Sequence, residues 1–498
     1  MLGGILLLNN KVRVIDNSSK KEGLMFNSLI DNLQYVVFSD IKKNLVKKNK
    51  HNNDNEGITD LYVVIEDTNE LYLNKIKIGR IVKIIGPITD INARQNILLY
   101  TDVNVPLNLD LYNNKIELDE IYNFIDDFEN KVDELFNYNV YSIDPIGCKD
   151  IDDAITYVNE NKFIVHIADP NILNNVLDLN QYYDNCSSIY LDGDTGAECK
   201  TYHLLPNSIS TNCLSLIKGK ARSVISTEIE FIDGLPVITN IVRRIIKITQ
   251  NLSYDEANVM LNEDSDIKNL FKLSKKLEPL YFKDMEINMN DVSFIKKTIL
   301  IDTHDMVQLY MLVTNHLIGK YLATNEKVKD KIIYRTCTQT NLNAMYSHEN
   351  IGHAILQMND YIHFTSPIRR VADYINHQLL LETLSWDNLN KYNTNIQRIN
   401  KYTKFIKKIG NMSRYICVAN KIINGNTYSC KLMTIKQHEN NLLFRWYVND
   451  FHLNIECRYK NEFIKDIIVG LNVNETYNIK LFSLISGKIH NIKIYFEM

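Results

Sequence analysis

Asp144, Asp150, Asp152 and Asp153 fall within ten consecutive positions, Asp144-Pro-Ile-Gly-Cys-Lys-Asp-Ile-Asp-Asp153. Carboxylates held this close repel one another unless cations sit among them. Hard oxygen ligands of this kind suit magnesium, which binds one or two carboxylates together with water and substrate phosphate. An EF-hand is excluded, because its alternating ligands and central glycine are absent. In an extended chain Asp150 and Asp152 share a face while Asp153 points elsewhere. Pro145 and Gly147 allow a bend that returns Asp144 toward the others. Two ions about 3.5–4 Å apart in such a cluster would clamp the attacking water and the leaving oxygen of a phosphodiester. A solvated turn with Asx caps is the competing reading of these residues taken alone.

A second segment, His363-Phe-Thr-Ser-Pro-Ile-Arg-Arg370, runs into an apolar-periodic stretch. Ser366 reads as a helix N-cap and Pro367 as the first helical residue. A helix start of this kind presents unpaired N–H groups and a positive dipole end to phosphate. Arg369 and Arg370 add two cations in the first turn, and neighbouring helical residues diverge by about 100°, so one of them faces the phosphate. Asp373 lies at i+4 from Arg369 and i+3 from Arg370, in position to orient either. An ordinary capped helix with a surface ion pair explains the cap but not the paired arginines.

Three regions position these segments. Residues 1–112 contain short β-like runs at 4–8, 35–38, 61–65, 80–85 and 97–100, the spacing of a small oligonucleotide/oligosaccharide-binding (OB) barrel. A polar, basic stretch at 42–55 reads as an exposed loop. Residues 113–412 mix strands and helices: 155–158 and 163–167 form a hairpin directly after the acidic loop, and 306–322 and 367–384 have helical periodicity. Residues 413–498 return to a β pattern, with runs such as 442–448 and 488–496, and predict a second small barrel.

At 498 residues and 45% hydrophobic content the chain can build several cores. No apolar run reaches the length of a membrane span, so no membrane partner is expected. The apolar start, residues 1–8, is short, lacks a positive leader and predicts a first strand instead of a signal peptide. Eight cysteines (148, 186, 199, 213, 337, 417, 430, 457) form no Cys-x-x-Cys pair and read as reduced thiols of an intracellular protein, assigned here to the cytoplasm. The net charge of −4 gives no global signal for nucleic acid, although a channel needs only local positive charge.

The acidic loop and the His363–Arg370 segment resemble the two hallmark motifs of the ribonuclease II/ribonuclease R exoribonucleases, which share the RNB catalytic domain. The resemblance continues in order through His166-Ile-Ala-Asp-Pro170, Ser188-Ile-Tyr-Leu191, Leu204-Leu-Pro206 with Cys213-Leu-Ser-Leu216, and Leu252-Ser-Tyr-Asp-Glu256. Met311-Leu-Val-Thr-Asn315 and Tyr346-Ser347 with Gly352-His353 complete the series. It implies an α+β fold: an RNB domain between a reduced cold-shock-like N-terminal region and a divergent C-terminal OB-like barrel. It also implies hydrolytic 3′-to-5′ degradation of single-stranded RNA to nucleoside 5′-monophosphates, dependent on Mg2+ with Mn2+ as the alternative ion.

Position by position, the resemblance makes Asp144 and Asp153 direct metal ligands and Asp150 and Asp152 the rest of the acidic set. Asp152 is the one most tied to chemistry. Arg369 matches the arginine that contacts the scissile phosphate, in keeping with the weight of preorganised cations in catalysis. Tyr190 falls where the family places an aromatic that stacks on a base near the 3′ end, against core packing as the plainer reading. Ser366 and Arg370 belong to the same phosphate-facing segment. Lys218, Lys220 and Arg222 alternate and would line an RNA channel or a solvated strand face. His166, His353 and His377 read as structural hydrogen-bonders, since the hard-cation site already has its carboxylates.

Several features depart from the family pattern. Gln308-Leu309 stands where acidic residues usually precede Met311, an acidic turn at 192–198 follows Tyr190, and the N-terminal region is too short for two full cold-shock barrels. It keeps one recognisable stretch, Lys77-Ile-Gly-Arg-Ile-Val-Lys-Ile-Ile-Gly86. The expectation is an active, monomeric exoribonuclease. A silent RNA-binding regulator and a subunit that works only with a protein partner in an RNA-degrading assembly are the alternatives. Loss of an aspartate would favour the silent regulator, and none is lost.

Overall fold

The computed structural model describes all residues except 17–18, 39–59, 73–75, 103, 113–118, 135, 192–199, 283–285, 290–291, 296–299, 384–394, 439–440, 452, 461–470, 485–492 and 498. The basic stretch at 42–55 and the acidic turn at 192–198 therefore lie outside the described residues. The chain divides into two units, one of 1–107, 190–200 and 405–498, the other of 108–189 and 201–404.

In the first unit, β1 (Leu2–Asp16), β2 (Ser19–Ser28), β3 (Gln34–Val37), β4 (Leu61–Tyr72) and β5 (Ile76–Pro87) close a barrel in the order β1-β2-β3-β5-β4. Leu6, Leu8, Phe26, Tyr35, Val37, Val63 and Ile65 fill it. A side chain at Gly4 would meet the Phe26 ring at 2.2 Å, so glycine lets the strand close on the core. Residues 97–100, read from sequence as a strand, instead end the helix Ile91–Ile97 and form the 3-10 turn Leu98–Tyr100. Asp90 starts this helix by accepting from Asn92 N, and a short apolar run cannot by itself distinguish strand from helix. Gln95 on this helix donates to Ser413 Oγ at 2.9 Å. Later in the same unit, Thr427–His438, Asn441–Val448, Leu453–Lys460, Thr476–Leu484 and Lys493–Glu497 form a five-stranded antiparallel sheet. Leu432, Phe444, Trp446, Ile455 and Ile479 lie in its core.

The second unit is built on β6 (Tyr141–Asp144), β7 (Asp153–Asn159) and β8 (Lys162–Ala168), the last two being the expected hairpin with a Glu160-Asn161 turn. The short strands β9 (Ile189–Leu191) and β10 (Lys200–Tyr202) fall at the two ends of the 190–200 segment assigned to the first unit, and β11 (Ala221–Ile232), β12 (Leu235–Lys247) and β13 (Gln250–Ser253) follow in the second. The six-stranded sheet runs β12-β11-β8-β7-β6-β13, with β13 parallel to β6. Apolar residues on one face, among them Phe163, Val165 and Ile225, pack with helices Asp266–Tyr281 and Thr303–Ala323. Phe163 meets Tyr310 with ring centroids 4.6 Å apart, and the Tyr310 hydroxyl donates to Leu270 O at 2.7 Å. This rigid layer fixes the strand ends from which the acidic loop springs. No helix among the described residues is long and apolar enough to cross a membrane.

Candidate active site

β6 ends at Asp144 and β7 begins at Asp153, so both termini of the acidic loop are anchored in one sheet. The bend expected at Pro145 and Gly147 is present: Cys148 N donates to Pro145 O at 3.1 Å, and Gly147 has φ +83°. That left-handed conformation favours glycine. The far half of the loop is held by its backbone. Ile151 N donates to Ser215 Oγ at 3.1 Å, Leu216 N to Ile151 O at 3.1 Å, and Ala168 N to Asp152 O at 2.8 Å. Ser253 lies beside Asp144 in the β13–β6 pairing and caps the helix Tyr254–Met260 in a capping box with Glu256.

The Asp152 side chain is buried, and its carboxylate has two donors from the 366–370 segment. Ile368 N donates to Oδ1 at 2.8 Å and Arg369 Nε to Oδ2 at 2.9 Å. Arg369 also donates to Ser366 Oγ at 2.9 Å, and its side chain keeps 40% of its surface exposed. Arg369 is thus held by both segments while part of its side chain stays exposed. Asp373 settles on Arg370 at 2.7 Å and accepts from Ser366 N at 2.8 Å.

Here the structure corrects the sequence reading of Ser366. It is not an N-cap, because the helix spans Val371–Thr383 and residues 367–369 form a turn. The N–H groups of Ser366 and Ile368, which a helix start would offer to phosphate, are spent on Asp373 and Asp152. Val371 N donates to Cys186 O at 3.0 Å. The segment keeps a partly exposed cation at Arg369; the expected helix-terminus site is not formed.

Burial raises the Asp144 carboxyl to about 6, with hydrogen bonding from Ser142 and the Arg369 cation opposing the shift and Asp150 adding to it. Asp152 is pushed up to about 7 by burial, which outweighs Arg369 and the Ile368 N–H. Asp153 rises well above the usual carboxylate range through burial and then the charges of Asp144 and Asp152. Asp144 Oδ2 is sealed from solvent and makes no hydrogen bond within the protein. Such a set is costly as charged groups on its own and becomes favourable around a cation. The residues therefore fit a divalent metal ion.

The four carboxylates do not converge tightly by themselves. Among the described residues the one group of three or more such side chains with ligand atoms within 4.8 Å of one another is Asp302, His304 and Asp305. That group is a helix start: Asp302 accepts from Asp305 N at 3.1 Å, and Asp305 accepts from Ile301 N at 3.0 Å.

Lys218 and Lys220 are exposed on either side of Gly219, a turn residue with φ +76°. Arg222 corrects the reading of an alternating basic face. It is 4% exposed, and its guanidinium donates to the carbonyls of Ser215, Ala221 and Asn212 at 2.9, 2.7 and 2.8 Å. It ties the 212–215 segment to β11. Tyr190 is the half-buried centre of β9 and belongs to the other unit. His166 bridges Ser226 Oγ at 2.7 Å and Thr156 Oγ1 at 3.0 Å, and His377 reaches Phe364 O at 2.8 Å, both structural roles. His353 lies 3.5 Å from Cys337 Sγ.

Two residues near the cluster carried no signal of a role in the sequence. Tyr254 has its hydroxyl pushed up by burial, then by the nearby charges of Asp144 and Asp153. His203 places Nδ1 3.4 Å from Asp150 Oδ2. Tyr254 sat inside a quoted motif without a chemical reason to single it out, and a lone histidine before Leu204 has no spacing to read.

The model of the RNB domain matches residues 132–345 and 338–385, which include every residue of this site. The chain is 26% identical over 324 residues to ribonuclease R of Chlamydia trachomatis, covering 49% of this chain and 45% of that protein. It thus spans about half the length of the curated relatives it matches. Among solved structures, Mycoplasma genitalium RNase R in complex with ribose-methylated single-stranded RNA matches with a TM-score of 0.66 at 16% identity. That match covers 100% of this chain and 90% of the other. Yeast Ssd1, described as a pseudonuclease, matches with a TM-score of 0.61 at 13% identity over 92% of this chain and 65% of that one. At these identities the structural likenesses establish the fold.

Proposed function

We propose that this chain, which belongs to the RNB domain family, is a 3′-to-5′ exoribonuclease that hydrolyses single-stranded RNA to nucleoside 5′-monophosphates with Mg2+. The observation that carries the proposal is the coupling of the two motif segments through Asp152, Ile368 and Arg369. It joins a cation-binding carboxylate to a cation able to meet phosphate, although 217 positions separate Asp152 from Arg369. The curated relatives named ribonuclease R support the same reading.

Asp144, Asp150, Asp152 and Asp153 would hold the divalent ions of a two-metal site, with Mn2+ as the alternative to Mg2+. Bound there, they would supply Lewis-acid polarisation of the phosphodiester and a more acidic water. The chain's own contribution is orientation. Asp152 and Ser366 orient the Arg369 guanidinium, whose side chain is 40% exposed, toward the charge that grows on the phosphate, where a preorganised donor acts most strongly. Tyr190 stacks on a base near the 3′ end, and Lys218 and Lys220 contact RNA phosphates.

A silent RNA-binding reading draws on the likeness to a pseudonuclease. Against it, all four aspartates and Arg369 are retained. The two are separated by single-stranded RNA labelled at its 3′ end. Labelled 5′-mononucleotide as the first product supports the exonuclease, internal fragments contradict it, and binding without cleavage favours the silent reading.

A further inference from the structure

Asp150 differs from the other aspartates of the loop in its surroundings. Its carboxylate is 7% exposed, with Oδ1 4.0 Å from Cys148 Sγ and Oδ2 3.4 Å from His203 Nδ1. His203 is itself 7% exposed, and its Nδ1 is shut off from solvent and closes no hydrogen bond. A buried imidazole nitrogen left without a partner is costly, and a carboxylate 3.4 Å away is the group that would satisfy it after a shift of a few tenths of an ångström.

The backbone on both sides of this pair is fixed. Ile151, next to Asp150, is clamped by Ser215 Oγ and Leu216 N. Leu204, next to His203, donates its N–H to Ser188 Oγ at 2.8 Å, and Ser188 N donates to Arg369 O at 3.0 Å. With both main chains held, the relative setting of the two side chains is the remaining freedom. His203 is also tied through Ser188 to the residue that holds Asp152.

We infer that His203 is a positioning residue for Asp150: it takes Oδ2 as a hydrogen-bond acceptor and turns Oδ1 toward a divalent cation. The inference deepens the metal-dependent reading of the acidic loop and rests on it. A partner that orients a liganding group sets metal affinity without touching the ion. His203 thus completes on Asp150 what Ile368 N and Arg369 do on Asp152.

The test is isothermal titration of the full chain with Mn2+, with no RNA present. His203→Ala should weaken the Mn2+ dissociation constant about tenfold or more. His203→Asn, whose Nδ2 can stand near the place of Nδ1, should recover most of that loss. Wild-type affinity in His203→Ala overturns the inference. So does equal weakening in both variants, which marks a merely structural histidine. Failure of the wild type to bind Mn2+ also overturns it, whereas Mn2+ binding without RNA cleavage overturns the exonuclease reading alone. As a second readout, the Mg2+ concentration for half-maximal cleavage should rise in His203→Ala while KM for RNA stays near wild type.

Discussion

The Asp152 carboxylate is gripped from two adjacent residues, Arg369 Nε at 2.9 Å and Ile368 N at 2.8 Å. A bidentate hold on a buried carboxylate fixes its plane as well as its position. It also joins the loop Asp144–Asp153 directly to the turn 366–370. Whatever ion binds the loop is thereby held at a set distance from the exposed face of Arg369.

Arg369→Lys keeps the charge but loses the planar fork that serves Asp152 and Ser366 together. Turnover should fall about 10²–10³-fold, with KM for RNA changed little. Steady-state cleavage of a labelled oligoribonucleotide reads both quantities. A rise in KM with turnover unchanged would make Arg369 a binding residue only.

The buried carboxylates should destabilise the metal-free protein. A carboxyl whose folded value is raised costs nothing below its ordinary value; the cost builds as pH rises and is complete above the folded value. For Asp144 that window runs from 3.8 to about 6. Asp144→Asn should therefore raise Tm of the metal-free protein at pH 7.5 and leave it unchanged near pH 4. Mn2+ should raise the wild-type Tm more than that of the variant. Differential scanning fluorimetry at the two pH values checks this, and a variant no more stable at pH 7.5 would refute the buried-charge account.

The legible part of this site is the part whose chemistry resides in residue types at short range. Four aspartates in one loop and two arginines after Ser-Pro announce a cation and an anion wherever they fold. Ser366 was misread because capping is a local inference, and the local cap lost to partners far away: Asp152 draws Ile368 N across 216 positions. Arg222 was misread because period-two alternation assumes a strand. Lys218 and Gly219 instead form a turn, and β11 starts at Ala221 with Arg222 directed to three carbonyls. The 155–158 and 163–167 hairpin was readable because a polar two-residue turn sits between β-branched runs. His203 was not readable at all, since its meaning comes from a carboxylate 53 positions earlier in the chain.

Arg222→Ala should act on stability and not on RNA. Three carbonyls, those of Ser215 and Ala221 buried, lose their donor, a destabilisation of about 2–3 kcal/mol by chemical denaturation. In contrast, Lys218→Ala with Lys220→Ala should leave stability intact and lower the salt dependence of RNA binding by about one unit of slope for each lysine removed. RNA affinity measured from 50 to about 200 mM salt separates the two cases. An unchanged slope in the double lysine variant would place RNA elsewhere.

Tyr190→Ala should weaken the hold on the 3′ end by about 1–3 kcal/mol, the worth of one base–aromatic stack. The limit product should lengthen or blur while hydrolysis continues. A product ladder identical to wild type would return Tyr190 to a packing role in β9.

The most direct test of the account is a single-stranded RNA labelled at its 5′ end, incubated with Mg2+ and resolved on a denaturing gel beside Asp152→Asn. The substitution keeps the size of the side chain but removes the charge the site is built on and one of the two oxygens that accept from Ile368 N and Arg369 Nε. The account predicts one short labelled limit product from the wild type, none from the variant, and comparable RNA binding by both. Cleavage by Asp152→Asn at the wild-type rate, or RNA binding by the wild type with no cleavage, would contradict it.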